Sequence, residues 1–269
     1  MFKADHTMPQ DNQLVRQKSN GTILRLERSS IHDGEGLRTV IFLKGCPLRC
    51  AWCSTPEGWL PGITETDTVS YGYTMTADEL LAEIVKDEIF FYHSGGGITF
   101  SGGEPLCQAD FVTDVAAGTR KLGISTAMES SLCHPWPVVE KVLSHLDILY
   151  ADLKHIDPEQ HKFYTGQKNQ EILENIHRVS NSGLPLQLII RMVLIPGIND
   201  DEAILRRTGD FLQSLPNLTG VELLPYHRLG VGTYAKLGLK YRLPEAKVPS
   251  RSELQRGKAI LSQYVSNVK

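Results

Sequence analysis

From Thr39 onward, apolar runs rich in β-branched and aromatic residues alternate six times with amphipathic stretches of helical period. The predicted strands are residues 39–44 (TVIFLK), 97–101, 124–129, 147–152, 186–195 (LQLIIRMVLI) and 220–225, with an earlier candidate at 21–27. Helices are predicted from Thr76, where Thr-Ala-Asp-Glu can form a capping box, and over 109–122, 137–146, 158–163, 170–182 and 200–215. A C-terminal helix is predicted after Pro249. Strands that alternate with helices imply a parallel sheet with right-handed crossovers, either open and doubly wound or curled into a barrel. Neither GxGxxG nor GxxxxGK[ST] follows the first strand, so no nucleotide fingerprint favours the doubly wound form. No internal repeat or linker divides the chain. A single domain over 21–269 is expected, preceded by a flexible polar extension over 1–20.

The predicted strand ends carry Lys44-Gly45-Cys46, Ser101-Gly102-Gly103-Glu104, Glu129-Ser130, Asp152-Leu153-Lys154 and Pro225-Tyr226-His227, and Arg191 lies within its strand. A structural strand end needs a turn residue, not a recurring carboxylate, lysine or histidine. In parallel α/β folds the C-terminal edge of the sheet is where ligands bind.

The formal charge of −3 argues against a general nucleic-acid or anionic-membrane binder. No apolar run approaches the ~20 residues that span a bilayer, and the N-terminus has no apolar signal region. A cytoplasmic chain with reduced thiols is therefore expected. Three of its five cysteines fall within GCPLRCAWC, at i, i+4 and i+7. This crowding reads as metal or cluster ligands, not as a disulfide framework. Three thiolates from one loop can hold three corners of an iron–sulfur cube and leave the fourth iron open. A Cys3His zinc site recruiting His32, His93 or His227 is the main alternative, and buried packing cysteines are another.

CxxxCxxC followed by GGEP resembles the radical S-adenosylmethionine (radical SAM) superfamily. The ordered set IHDGEGLRTVIFLKGCPLRCAWC, GGGITFSGGEPLCQ, YADLK, RMVLIPGIND and LLPYHRLG is similar to glycyl radical enzyme activases of the pyruvate formate-lyase activating type. The resemblance implies a partial (β/α)6 TIM-like barrel with a 4Fe-4S cluster on Cys46, Cys50 and Cys53. It implies that S-adenosylmethionine chelates the open iron and is reductively cleaved to methionine and a 5′-deoxyadenosyl radical. That radical takes a hydrogen from a glycine of a partner glycyl radical enzyme. A flavodoxin or ferredoxin-type reductant is the electron donor expected by analogy.

Site roles also follow from the resemblance. Trp52 and Ser54 flank Cys53 where the family holds the adenine side of S-adenosylmethionine. Gly102 and Gly103 let the backbone approach its amino group, which Glu104 would neutralise. Asp152-Leu153-Lys154 resembles the family's Asp-x-Lys, which contacts S-adenosylmethionine; a simple ion pair is the plainer reading. An unpaired Arg191 would be costly in so apolar a strand, and either the substrate carboxylate or a neighbouring acidic residue would answer that cost. His227 resembles the histidine that touches S-adenosylmethionine. Asp33 matches an aspartate that contacts the target peptide, although Asp-Gly is also good turn chemistry.

The chain departs from the family at Ser-Thr-Pro-Glu after Cys53 and at Glu129-Ser130, where relatives have Asp-Thr. In the family that pair, with Asp152 and a carbonyl at Tyr150, holds a monovalent cation. Residues 54–76 contain no cysteine, so this is the short form without a ferredoxin insert, and Cys107 and Cys133 read as packing residues. Two further readings compete: a radical SAM enzyme acting on a small molecule, and an iron–sulfur electron-transfer or sensing module. The ionisable groups along the sheet edge argue against the second of these, because electron transfer needs no substrate pocket.

Overall fold

The structure, a computed structural model, describes residues 19–269. The extension expected over 1–20 therefore lies outside the described residues up to position 18. Ser19 and Asn20 do not belong to it: the Ser19 hydroxyl donates to Asp114 at 2.6 Å, and Asn20 opens the first strand.

The strands are β1 (Asn20–Ser30), β2 (Arg38–Leu43), β3 (Thr64–Glu65), β4 (Ser70–Tyr71), β5 (Tyr73–Thr76), β6 (Gly97–Gly102), β7 (Ser125–Ser130), β8 (Ile148–Asp152), β9 (Gln187–Leu194) and β10 (Leu218–Pro225). The helices are α1 (Ala77–Val85), α2 (Glu88–Ser94), α3 (Ala109–Lys121), α4 (Trp136–Leu143), α5 (Pro158–Thr165), α6 (Gln170–Ser180), α7 (Glu202–Gln213), α8 (Val231–Lys236) and α9 (Arg251–Leu261). Capping boxes start α1 and α9: Thr76 with Glu79, and Ser250 with Glu253.

One sheet runs β10-β9-β8-β7-β6-β2-β1-β5. The six strands from β2 to β10 are parallel and follow chain order without a reversal, as the six-fold alternation requires. β1 and β5 extend the sheet in antiparallel fashion. No pairing between β5 and β10 closes the ring among the described residues, so the fold is a central parallel sheet covered by helices, an open barrel. The edge of β10 is covered by residues 267–269: Val221 donates to the carbonyl of Asn267 at 2.8 Å and Leu223 to that of Lys269 at 3.0 Å. Among the described residues no helix is long and apolar enough to cross a membrane.

Side chains alternate between the two faces of each strand, and this sorts the chemistry. Ile41, Leu43, Ile98, Phe100, Met128, Leu149, Ile190, Met192, Val221 and Leu223 point outward and pack under the helices in one continuous core. The inward face carries Ala127, Ile148, Tyr150 and Ile189. By the same alternation it also carries Thr99, Ser101, Glu129, Asp152, Arg191 and Glu222. The polar residues spread through the sequence thus meet on one wall.

Candidate active site

The loop that follows β2 is tied down before any thiol is considered. Gly45 donates to Gly58 at 2.8 Å and Cys46 to Trp59 at 3.1 Å, closing the loop on itself. The buried Lys44 ammonium lies 2.6 Å from the Glu57 carbonyl and 2.7 Å from the Thr64 hydroxyl. Lys44, one of the ionisable groups at the strand ends, thus clasps the loop. The last carbonyls of α5 have no partner within their own helix. They accept from the loop instead: Arg49 donates to Thr165 at 2.7 Å and Ala51 to Tyr164 at 2.8 Å.

Cys46, Cys50 and Cys53 are free thiols set among Leu48, Trp52, Ile195 and Tyr226. Burial pushes the Cys50 thiol up to about 12 and raises Cys46 and Cys53 as well, the former helped by the Glu104 carboxylate. Alone they are neutral thiols; a strongly cationic group would draw them into thiolates. Burial lowers the Lys154 pKa, but the Asp152 carboxylate, 2.8 Å away, outweighs it and holds the ammonium charged. Among the described residues no three His, Cys, Asp or Glu side chains converge as a single-ion site. A 4Fe-4S cluster, which spreads its ligands over a larger body, suits this donor set.

The glycine pair after β6 has a structural task. Gly102 has φ 108°, which favours glycine, and a β-carbon on Gly103 would lie 2.7 Å from the Gly58 carbonyl and overlap that of Gly45. The thiol loop therefore docks flush on the end of β6. Glu104 is corrected from its expected role. Its carboxylate, 1% exposed, accepts from Ser130 (2.7 Å), Leu106 N–H (3.2 Å), Ser131 N–H (2.8 Å) and the Ser131 hydroxyl (2.5 Å). Four donors of its own chain fill both oxygens, leaving no room for a substrate ammonium.

Ser130 also departs from expectation. Strand alternation puts Glu129 on the inward face and Ser130 on the other, where its hydroxyl serves Glu104. Glu129 and Asp152 share the inward face, so the cation trio is not assembled with the Ser130 side chain. Glu129 accepts from Ser101 at 2.5 Å and pairs with Arg191. Arg191 pairs also with Glu222 at 2.6 Å, donates to the His32 carbonyl at 3.0 Å and lies 3.7 Å from the centre of the Tyr150 ring. Of its two expected partners, the structure supplies the acidic one. Burial pushes Glu129 up to about 7 against the pull of the guanidinium.

A cavity of about 700 Å³ opens on this wall, lined by His32, Asp33, Tyr150, Arg191 and Glu222 among others. No cysteine lines it. Trp52 is buried against Tyr164. Ser54 is exposed, and its main chain packs so tightly on Gly230 that a β-carbon there would lie 2.7 Å from Ser54 Cα. This contact brings the loop with exposed His227 beside the thiol loop, where Tyr234 donates to the Cys53 carbonyl at 3.2 Å. Leu153 is buried, its N–H donating to the Arg191 carbonyl at 2.9 Å. Sequence reasoning missed Glu222, Ser131 and Tyr234. Only the structure joins Glu222 to the site, by setting it in register with Arg191 across β9 and β10.

The radical SAM superfamily profile matches residues 40–207. The (2S)-3-sulfopropanediol dehydratase activating enzyme of Klebsiella oxytoca is 36% identical, covering 93% of this chain and 95% of its own. That alignment runs over 307 positions, more than this chain has, so part of the relative has no counterpart here. The pyruvate formate-lyase-activating enzyme of Clostridium pasteurianum is 33% identical over 245 residues, 91% of this chain and 98% of its own. A domain of the pyruvate-formate lyase-activating enzyme from Bacteroides vulgatus matches with TM-score 0.55 and 31% identity, over 65% of this chain and 98% of that domain. A radical SAM methyltransferase from Sphaerobacter thermophilus, 16% identical with TM-score 0.63 over 92% of this chain and 76% of its own, shares the fold. The thiol loop, the glycine pair packed on it and these similarities agree: the chain belongs to the radical SAM superfamily and, within it, to the glycyl radical enzyme activating enzymes.

Proposed function

We propose that this enzyme takes a glycine-bearing segment of a partner glycyl radical enzyme into the cavity beside Asp33 and activates it there. The observation that carries this reading is the shared wall: Asp33, Tyr150, Arg191 and Glu222 line one cavity, and two residues beyond Tyr150 on β8, Asp152 pairs with Lys154 beside Cys50. Cys46, Cys50 and Cys53 would hold the 4Fe-4S cluster. Bound there, cluster and S-adenosylmethionine supply the one-electron chemistry that makes a hydrogen-abstracting radical.

The chain's own residues place and shield the reactants. The ammonium of Lys154, held by Asp152, is set to meet the carboxylate of S-adenosylmethionine, and His227 stands at the mouth of the same edge. Trp52 and Ser54 flank its adenine, and the backbone at Gly102, Gly103 and Leu153 forms the floor. Asp33 orients the target peptide; Thr99 fixes it by donating to the Asp33 carbonyl at 2.7 Å, and the Ser30 hydroxyl donates to its carboxylate. A flavodoxin- or ferredoxin-type protein in the cytoplasm serves as reductant, and residues 21–269 act as a single domain.

The test mixes reduced enzyme, S-adenosylmethionine and the glycyl radical enzyme encoded beside it, and records electron paramagnetic resonance. A doublet from one glycine α-hydrogen is expected on the partner. Asp33→Ala should keep cluster assembly and S-adenosylmethionine binding and lose most of that signal. An Asp33→Ala variant that activates the partner at the parental rate removes Asp33 from the reading.

A further inference from the structure

On the outer side of the thiol loop lies a second, smaller feature that the chemistry above does not use. A recess of about 250 Å³ is lined by Ala51, Phe163, Tyr164, Lys240, Arg242 and Leu243. Ala51 stands between two of the cluster cysteines. With ~3.8 Å between successive Cα atoms, the recess lies one residue from Cys50 and two from Cys53.

Three observations give this face a partner. It is basic in a chain of net charge −3: residues 236–247 carry Lys236, Lys240, Arg242 and Lys247 against a single carboxylate, Glu245, and exposed Lys162 and Arg49 adjoin them, with Glu159, paired to Lys168, the carboxylate one turn from Lys162. An aromatic ring, Phe163, is 64% exposed at the rim. And the face is rigid: Arg242 donates to the carbonyls of Phe163 (2.6 Å), Arg49 (3.2 Å) and Tyr164 (3.3 Å), pinning α5 and the thiol loop together. An exposed ring in a basic field, backed edge-on by Tyr164, suits an acidic protein that presents an apolar edge.

We infer that the Lys162–Phe163–Lys240–Arg242 face is the docking site for an acidic, flavin-bearing electron carrier of the flavodoxin type, its flavin edge set on Phe163 over Ala51. This rests on the reductant named under the proposed function and adds where it binds. The reduced flavin loses one electron and the cluster gains it; no bond in this chain is made or broken. Complementary charge speeds such encounters, and salt screens it.

The test titrates flavodoxin into cluster-loaded enzyme by calorimetry at low and high salt, comparing the parent with the Lys162→Glu/Lys240→Glu variant. Binding by the parent should weaken with salt. The variant should bind about tenfold or more weakly at low salt and lose most of its salt dependence. Zero-length carbodiimide crosslinks from the parent should map to Lys162 or Lys240, and dithionite should reduce the variant's cluster as fast as the parent's. Phe163→Ala should weaken binding without changing its salt dependence. Equal affinity in parent and charge-reversed variant overturns the inference, as do crosslinks confined to other faces. So does binding of a ferredoxin in place of flavodoxin. If the variant fails to activate the partner with dithionite as donor, the face serves the partner enzyme and the inference falls. If flavodoxin does not reduce even the parent, the reductant reading falls with it; if it reduces parent and variant alike, only the docking site falls.

Discussion

The amide N–H of Glu104 donates to the carbonyl of Gly45 at 2.6 Å, so the turn after β6 and the opening of the thiol loop are held as one unit. Gly103, one residue earlier, has no space for a β-carbon against Gly45 and Gly58. Gly103→Ala must push main chain against main chain, which a side-chain rotation cannot relieve. The expected result is destabilisation by about 1–3 kcal/mol with a marked drop in iron uptake, although no ligand is touched. Denaturant unfolding and iron analysis of anaerobically reconstituted protein check both parts.

Reconstituted parent should hold about four irons and four sulfides per chain. Alanine at Cys46, Cys50 or Cys53 should reduce this to near none, while Cys107→Ala and Cys133→Ala should leave it intact. Stoichiometric zinc without iron in anaerobically purified protein would contradict the assignment.

Lys154 and Asp152 should separate binding from cluster assembly. Lys154→Met removes the ammonium facing the thiols and should weaken S-adenosylmethionine binding by roughly ten- to a hundredfold, the worth of a charged hydrogen bond. Iron content should not change. Asp152→Ala should cost stability as well, since it leaves a half-buried ammonium without its carboxylate, by about 1–3 kcal/mol. Equilibrium binding to the loaded variants, together with urea midpoints, distinguishes the two effects.

His155 and His161 predict how stability responds to acid. Both are buried, His155 with its ring on the Ile198 carbonyl at 3.2 Å and His161 on that of Gln167 at 2.6 Å. Burial lowers both pKa values. The unfolded chain then binds more protons than the folded one just below about pH 6.5, so stability is full above that pH and falls as pH drops through the folded values. His161→Asn should flatten the slope of the urea midpoint between about pH 7 and 5; an unchanged slope would clear His161 of the effect.

The six parallel strands were legible because each is a run of apolar residues bounded by turns, and the thiol loop because its spacing carries its own chemistry. β5 was not legible. Its four residues are half exposed and become a strand only by pairing with β1. α2 was missed because EIFFYHS buries one residue, Phe91, and so shows no helical stripe. Glu104 illustrates the deeper limit: read locally it is a carboxylate on a proline turn, and its donors Ser130 and Ser131 arrive from the end of a different strand. The pairing of Arg191 with Glu222 likewise needs the register of β9 against β10, which hydrophobic pattern alone does not set.

An open barrel keeps two free edges that a closed one lacks, and an unguarded edge is a template for another chain. Here the short run of residues 267–269 lies along β10, and Gly220 leaves room for it: a β-carbon there would lie 2.7 Å from the Asn267 amide nitrogen. Asn267 and Lys269 also line the large cavity. Asn267 and Lys269 therefore stand guard in two senses. They deny the sheet edge to sticky neighbours during folding, and they mark how far the side doorway of the barrel extends once folding is done.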